Sequence, residues 1–311
     1  MTFRVGEEVR EALDRGAGTV ALETSVIGQG LPHPRNLECI DRMSGAIRAA
    51  GSVPAWIGVI DGIVTVGLSA AELGRFAEPG VATKVARRDY PMAVASRALG
   101  ATTVSATIWA AAKAGVGVGA TGGIGGVHPG EDPDVSADLL ELARTPGVLV
   151  CSGPKSIIDP IATAEKLEEL GVALVGYGVD RLPHFLAREA PVDLEHRVDL
   201  PAEAAALARS AAALETSSTL LVCNPVPADH AMDAGEVAVA ALEAERRADV
   251  AGADGKARTP FLLWALAELT DGRSLEANLA LLEDNARVAG GIAAAAAGLG
   301  AIGARSSRSP S

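Results

Sequence analysis

The segment that decides the fold is ATGGIGGVHPGEDPDVSADLLELARTPGVLVCSGPKSIID, which covers residues 120–159. Its four glycines within five residues let the backbone turn tightly and approach an anion closely. Ser136 is placed to cap a helix over 137–144, whose first amides would face the same ligand. The apolar run 148–151 predicts a buried strand that leads to Lys155. Because ligands of open α/β sheets bind at the carboxyl ends of strands, the segment predicts an α/β fold and a site.

Strands and helices alternate on both sides of this segment. Strands are predicted at 19–22, 54–60, 63–66, 82–86, 101–104, 115–119, 148–151, 172–178 and 219–224. Helices are predicted at 5–15, 37–50, 69–77, from 90, from 105, and at 137–144, 162–170, 201–213, 237–247, 260–269 and 275–297. This pattern is typical of a mainly parallel sheet covered on both faces, with one hairpin through Asp61-Gly62. We expect one catalytic domain over 1–303 and a disordered polar tail over 304–311.

Composition excludes several classes of protein. The chain has 311 residues, a net charge of -12 and a pI near 4.9, so it lacks the basic footprint of a protein that binds nucleic-acid polymers. Its three cysteines have neither metal-site nor disulfide-framework spacing. No signal peptide and no run of ~18 apolar residues is present, which predicts a cytoplasmic protein without a membrane partner. A small anionic ligand remains compatible with the charge.

Three residues at predicted strand ends are candidates for chemistry. Lys155 follows a Gly-Pro pair and an apolar strand, so partial burial would favour the neutral, nucleophilic amine over a solvated surface cation. Lys84 lies within a short apolar run, where a second cation, a phosphate ligand and a surface salt bridge are all open interpretations. Glu23 precedes a loop rich in glycine and proline. It is an acid/base group, a cap for the next helix or a partner for an arginine.

The glycine-rich stretch itself offers two further ligand contacts. His128 follows four glycines and is more typical of a ligand contact than of a core histidine. Asp134 is a candidate oxygen ligand for magnesium or manganese, although an isolated DxSAD pattern is a weak metal signal. The glycine spacing matches neither the dinucleotide-binding fingerprint nor the phosphate-binding loop of nucleotide hydrolases.

The ordered motifs of the chain resemble those of the pseudouridine-5'-phosphate glycosidases, also called indigoidine synthase A-like proteins. They run along nearly the whole chain as ALETSVIGQGLPHPRN, VPAWIGVIDG, TKVARRD, GATTVSAT, ATGGIGGVHPG, DVSADL, CSGPKSIID, NPVP, GKARTPFLL and SLEANLALLEDNA. The resemblance implies a three-layer α/β/α single domain and a homotrimer. It also implies reversible conversion of pseudouridine 5'-phosphate and water to uracil and ribose 5-phosphate, with Mn²⁺, or alternatively Mg²⁺.

The resemblance also implies a role for each candidate. Lys155 takes the position of the nucleophile, Glu23 that of the proton donor and Asp134 that of the metal ligand. The substrate-binding positions fall on Lys84, Val104, Ser136, Ala137 and Asp138, with His128 and Asn278 as phosphate and sugar contacts.

The bond to be broken joins two carbon atoms, and uracil is a poor leaving group from carbon. Oxocarbenium chemistry with paired carboxylates is therefore inadequate. An amine that attacks C1' while the ring oxygen departs opens the sugar, and release of uracil then leaves an iminium on the lysine.

The chain departs from the family pattern in the loop after Glu23. Thr24 and Ser25 are exchanged, and Gln29 precedes Gly30 where a histidine is usual. Trp56 and Pro154 also stand where smaller or more flexible residues are usual. All of these departures bear on the range of substrates more than on the lysine chemistry. Two rival functions stay open at this stage: a lysine-dependent sugar-phosphate lyase or aldolase, and a noncatalytic accessory protein of pigment biosynthesis.

Overall fold

The computed structural model describes residues 1–130, 134–253 and 255–297. Within these residues, eleven strands form one sheet. The strands are β1 Phe3–Val5, β2 Thr19–Glu23, β3 Val53–Ile60, β4 Ile63–Val66, β5 Thr83–Val85, β6 Gly100–Thr102, β7 Val118–Ala120, β8 Gly147–Cys151, β9 Leu174–Tyr177, β10 Arg197–Val198 and β11 Thr219–Cys223.

Helices cover this sheet. They are α1 Glu7–Asp14, α2 Arg35–Ala49, α3 Ala70–Phe76, α4 Tyr90–Ala95, α5 Val104–Ala114, α6 Ala137–Leu142, α7 Pro160–Glu169, α8 Pro201–Ala213, α9 Ala234–Ala251, α10 Gly255–Leu269 and α11 Arg273–Ala297. None of the described helices is both long and apolar enough to cross a bilayer.

The strand order is β1-β4-β3-β2-β7-β8-β11-β9-β10, with β6 added to β3 and β5 added to β6. Neighbouring strands are parallel except where β3 pairs with β4 and with β6. The expected largely parallel sheet and the β3–β4 hairpin are therefore confirmed. Because β2, β7 and β8 are central, parallel neighbours, their carboxyl ends lie side by side at one edge of the sheet.

Alternation along each strand places apolar residues in both layers. In β2, Val20 and Leu22 pack with α2 and α11, whereas Ala21 packs with α5 on the opposite face. Successive strand side chains point to opposite faces, so a strand buried on both faces reads as a continuous apolar run. All five residues of β2 are buried, which confirms a three-layer α/β/α arrangement.

Two short strands differ from the sequence prediction. Val5 was assigned to the first helix but pairs with Val66 in β1, so the predicted start of that helix is wrong. The two-residue strand β10 is likewise absent from the prediction. Both strands are too short to show a period of two, and both are recognisable only from their partner strands. The predicted tail at 304–311 and the end of the predicted domain at 303 lie outside the described residues.

The loop after β2 has more regular structure than its glycines and prolines indicate. Its first part forms a single π-helical turn, Val26–Gly30, and α2 begins soon afterwards at Arg35. Single π-helical turns occur frequently at functional sites. This turn carries residues that line the main cavity described next.

Candidate active site

A cavity of about 480 Å³ lies at the carboxyl ends of β2, β5, β7 and β8. Every site residue predicted from the sequence lines it: Glu23, Lys84, Val104, His128, Asp134, Ser136, Ala137, Asp138, Lys155 and Asn278. These residues span more than half of the chain, and the parallel sheet brings them together. The placement at strand ends agrees with the general rule for open α/β sheets.

Glu23 is the last residue of β2 and is only 6% exposed. Ser25 Oγ donates a 2.6 Å hydrogen bond to Glu23 Oε2, and the Thr121 hydroxyl donates to Oε1. Burial raises the pKa of Glu23 above 4.5, while the positive charge of Lys155 and the two hydroxyl donors act in the opposite direction. Burial is the largest of these effects, so the site favours a protonated carboxyl group that can give up a proton.

Lys155 is half-buried and lies in the loop between β8 and α7. Its backbone N–H donates to Ile124 O at 3.1 Å, which ties the lysine to the glycine-rich segment. Just before it, Gly153 has a φ of +76°, and a Cβ there would overlap the carbonyl oxygen of Pro183. Only glycine fits this turn. The local backbone therefore directs the chain so that Lys155 reaches the cavity near Glu23.

Asp138 joins two backbone elements at the cavity wall. Its Oδ1 accepts a 2.9 Å hydrogen bond from Ser105 N, and its Oδ2 accepts one of 3.1 Å from Gly125 N. The carboxylate is 6% exposed. It holds the start of α5 against the glycine-rich segment, which fixes where the amides of both elements point.

Two helices begin at the cavity. Val104 is the first residue of α5, an eleven-residue helix, and it is buried in the wall. Ser136 caps α6 as expected, because its Oγ accepts a hydrogen bond from Asp138 N at 3.2 Å. The first amides of a helix carry no intrahelical partner and attract anions. The α5 end of the cavity is therefore suited to a phosphate group.

Basic side chains line the same cavity. They are Lys84, Arg88, His128 and Arg258, although Arg258 already pairs with Glu245 and, at 2.8 Å, with Asp249. Burial lowers the pKa of His128 below 6.5, so at neutral pH it acts as a neutral hydrogen-bonding group rather than as a cation.

Part of the wall of the main cavity is shared with a second, smaller cavity of about 270 Å³. The residues common to both walls are Gln29, Gly30, Phe185, Pro260, Leu263 and Asn278. The wall of the main cavity thus combines basic side chains with apolar surface and two carboxamides.

The hydroxyl groups of Thr24 and Ser25, the two exchanged residues after Glu23, make different contacts. Thr24 Oγ1 donates to Ile57 O at 2.7 Å and accepts from Thr102 N at 3.0 Å, so it binds the loop to the sheet. Ser25 carries the hydroxyl that contacts Glu23. Because threonine and serine offer the same hydroxyl group, the exchange leaves both kinds of contact available.

Asn285 is a supporting residue that sequence reasoning missed. It is fully buried in α11, and its Nδ2 donates to Thr121 O at 2.9 Å and to Ser152 Oγ at 3.0 Å. Asn224 Nδ2 donates in turn to Asn285 Oδ1 at 3.0 Å. This network holds the ends of β7, β8 and β11 at fixed spacing. The available signal was spacing, because Asn285 lies seven residues after Asn278 and therefore on the same face of the helix.

Asp134 lies at the exposed rim of the cavity. The described residues contain no group of three His, Cys, Asp or Glu side chains that would enclose a metal ion. Magnesium-like ions keep several waters and often bind one or two carboxylates together with substrate oxygens, so a single carboxylate is compatible with an open site of that kind. The donor set does not fit a metal cage built from protein alone.

Comparison with known proteins identifies the family. Residues 8–295 match the family described as indigoidine synthase A like protein. A pseudouridine-5'-phosphate glycosidase of Gemmatimonas aurantiaca is 48% identical over 292 residues, which cover 94% of this chain and 95% of the relative. One of Myxococcus xanthus is 47% identical over 298 residues, covering 95% and 98%.

Two solved structures agree with this assignment. The crystal structure of an indigoidine synthase A-like protein from Thermotoga maritima has a TM-score of 0.87 and 38% identity, covering 94% of this chain and 96% of that one. The prealnumycin C-glycosynthase AlnA, solved in complex with ribulose 5-phosphate, has a TM-score of 0.86 and 39% identity, covering 96% and 98%. The chain therefore belongs to the indigoidine synthase A-like family.

Proposed function

We propose that this chain is a pseudouridine-5'-phosphate glycosidase, which converts pseudouridine 5'-phosphate and water reversibly to uracil and ribose 5-phosphate. The observation that carries the proposal is that half-buried Lys155 and buried Glu23 line the same cavity. Burial raises the pKa of Glu23. The names of the similar Gemmatimonas and Myxococcus proteins support the substrate, and the complex of AlnA with ribulose 5-phosphate supports a sugar phosphate as ligand.

The chemistry of the cavity wall suggests how the substrate is bound. The phosphate lies between Lys84, His128 and the N-terminus of α5 at Val104. Ser136 and Ala137 at the start of α6 complete this phosphate site, and Asp138 holds it in shape. The base lies against the apolar part of the wall, and Asn278 contacts the sugar.

In the first step, the neutral amine of Lys155 attacks C1' of the sugar. A C1'–N bond forms, the C1'–O4' bond breaks with its electron pair going to O4', and O4' takes up a proton. The product is an open-chain sugar that carries both the lysine nitrogen and uracil on C1'. Holding the amine close to C1' converts an unfavourable encounter into an intramolecular reaction.

In the second step, Glu23 gives its proton to C5 of the uracil ring. The C1'–C5 bond breaks, its electron pair goes to the uracil ring, and the nitrogen lone pair forms the C1'=N bond of an iminium on Lys155. Water then adds to C1' and releases ribose 5-phosphate, which restores the free amine. Burial of Glu23 serves this step because it raises the pKa of the carboxyl group and so brings it closer to the range suited to a general acid.

The proposal includes one divalent ion, Mn²⁺ or Mg²⁺, with Asp134 as its protein ligand. Its rim position would leave the remaining coordination positions to water and substrate oxygens. Such an ion supplies positive charge that neutralises substrate oxygens when bound. We also propose that the chain assembles as a homotrimer, which a measurement of mass in solution tests.

The decisive experiment compares uracil release from pseudouridine 5'-phosphate with release from uridine 5'-phosphate. We expect rapid release from the first and little from the second. Borohydride reduction with ribose 5-phosphate should add the mass of the reduced sugar phosphate at Lys155. Lys155→Ala should lose both signals, whereas the surface variant Lys166→Ala should keep both.

Two outcomes would contradict the proposal in different ways. Labelling of Lys155 without uracil release would favour a lyase or aldolase that acts on other sugar phosphates. Full uracil release by Lys155→Ala would remove the covalent route altogether.

A further inference from the structure

The side chain of His184 contacts the turn that carries Lys155. This turn covers residues 155–158 and is closed by a 2.8 Å hydrogen bond from Ile158 N to Lys155 O. His184 Nε2 lies 3.2 Å from Ile158 O. The backbone of Lys155 also lies close enough to interact with the imidazole ring. One half-buried side chain from a separate segment therefore contacts both ends of the turn.

The partner of the imidazole ring determines where its proton lies. Ile158 O can only accept a hydrogen bond, so Nε2 must be the donor. Burial lowers the pKa of His184 below 6.5, although the backbone contacts and the charge of Asp159 act in the opposite direction. Asp159 already accepts hydrogen bonds from Ile161 N and Ala162 N at the start of α7. Near neutral pH, His184 is therefore a neutral ring with its proton on Nε2.

The segment around His184 is built against the lysine loop by its backbone as well. Phe185 N donates a 2.7 Å hydrogen bond to Ser152 O, and the carbonyl oxygen of Pro183 fills the space beside Gly153. Phe185 has a φ of +55°, which is rare for a bulky residue. Such conformations persist where the surrounding structure imposes them, and they cluster at functional sites. The backbone thus places His184 at the lysine loop independently of its own side chain.

The two neighbouring side chains of this segment face different surroundings. Phe185 lines the main cavity, whereas His184 lies outside its wall. His184 can therefore affect chemistry only through the residues that it contacts. The far end of the turn is also packed, because Ile158 joins Ala244 of α9 and Leu262 of α10 in a buried cluster. The position of Lys155 at the open end of the turn depends on how firmly the other end is held.

We propose that His184 is a positioning residue for Lys155: its Nε2–H holds the 155–158 turn through Ile158 O and so fixes where the lysine amine enters the cavity. The inference rests on the proposed function, in which that amine attacks C1'. Attack requires the amine to lie close to C1' and in the correct direction. A displacement of about 1 Å caused by a change outside the chemistry can cost on the order of 10²-fold in rate.

The test replaces His184 by three residues that differ in their hydrogen-bond donors. Leucine fills space without a donor, glutamine places an N–H near the position of Nε2, and asparagine carries the same amide on a side chain too short to reach Ile158 O. We expect His184→Leu and His184→Asn to lower kcat for uracil release about 10- to 100-fold. KM should stay nearly unchanged, since the proposed phosphate contacts lie on other elements. His184→Gln should recover most of kcat.

Borohydride labelling by ribose 5-phosphate tests the placement of Lys155 without the base. The labelling rate should fall in His184→Leu and His184→Asn by about the same factor as uracil release, and it should recover in His184→Gln. The polar pair of glutamine and asparagine keeps the comparison if the leucine variant does not fold. His196→Leu changes an exposed histidine outside the cavity wall and should behave as the wild type.

The inference is overturned if His184→Asn labels Lys155 and releases uracil at wild-type rates, if His184→Gln loses as much as His184→Asn, or if the loss is in KM alone. Each of these results leaves the proposed glycosidase function intact when the wild type releases uracil normally. A wild type that is labelled at Lys155 but releases no uracil overturns the proposed function instead, and the labelling rates of the variants then still decide the role of His184.

Discussion

Replacement of Glu23 by glutamine separates proton donation from the shape of the site. The amide has nearly the size of the carboxyl group, and the hydroxyls of Ser25 and Thr121 can turn to donate or accept as the amide requires. The amide has no proton to give to C5 of uracil. General acid catalysis contributes typically 10²- to 10⁴-fold, so we expect kcat for uracil release to fall by that factor, or about 3–5 kcal/mol.

The assay measures two steps on the same protein. Uracil release is followed under single-turnover conditions, and formation of the lysine adduct is followed by borohydride trapping with ribose 5-phosphate. Glu23→Gln should slow the first strongly and leave the second within about threefold, because adduct formation with the base-free sugar needs no proton on uracil.

Ser25→Ala is the matched control for this prediction. It removes one contact to the carboxyl group but keeps the acidic proton, so we expect a smaller loss, about 1–2 kcal/mol in the barrier. Equal losses of uracil release and adduct formation in Glu23→Gln would mean that Glu23 only maintains the structure. Unchanged uracil release would mean that another group provides the proton.

Three further predictions concern stability and the metal. Burial raises the pKa of Glu23 above 4.5, so just above pH 4.5 the folded wild type holds a proton that the unfolded chain releases. The unfolding free energy of the wild type should therefore fall as the pH rises through this range. Urea titrations of Glu23→Gln should lack this fall. Asn285→Leu leaves Thr121 O without its buried donor, and urea unfolding should show a loss of about 2–4 kcal/mol; a loss below about 0.5 kcal/mol would show that the network contributes little. A chelator should abolish uracil release and Mn²⁺ should restore it, with Asp134→Ala needing more Mn²⁺ than the wild type; full activity in excess chelator contradicts the metal proposal.

The central strands were predictable from the sequence because they are buried on both faces. Runs such as 148–151 and 220–223 have no polar interruption, and proline follows each of them closely. The edge strands β1 and β10 were not predictable, because two or three residues carry too little periodicity.

The residues that carry chemistry were easier to find than the residues that position them. Glu23 ends the apolar strand β2, and Lys155 comes soon after the end of β8, so their sequence context indicates where they lie. Thr121 and Asn285 are 164 residues apart, and nothing in the local sequence of either shows that they meet. Hydrogen bonds between distant segments depend on the register of the whole sheet, which local patterns do not determine.

The placement of Glu23 and Lys155 in one cavity explains why a buried carboxyl group and a lysine are useful together. The proposed reaction needs a nucleophilic amine and an acidic proton within reach of the same substrate. Burial raises the pKa of Glu23 above 4.5, and this effect outweighs the opposing positive charge of Lys155. A carboxyl group at the surface would keep its ordinary pKa and would be a weaker match for proton donation near neutral pH. The end of β2 thus supplies the acid because it is buried, and the loop after β8 supplies the amine because it opens into the cavity.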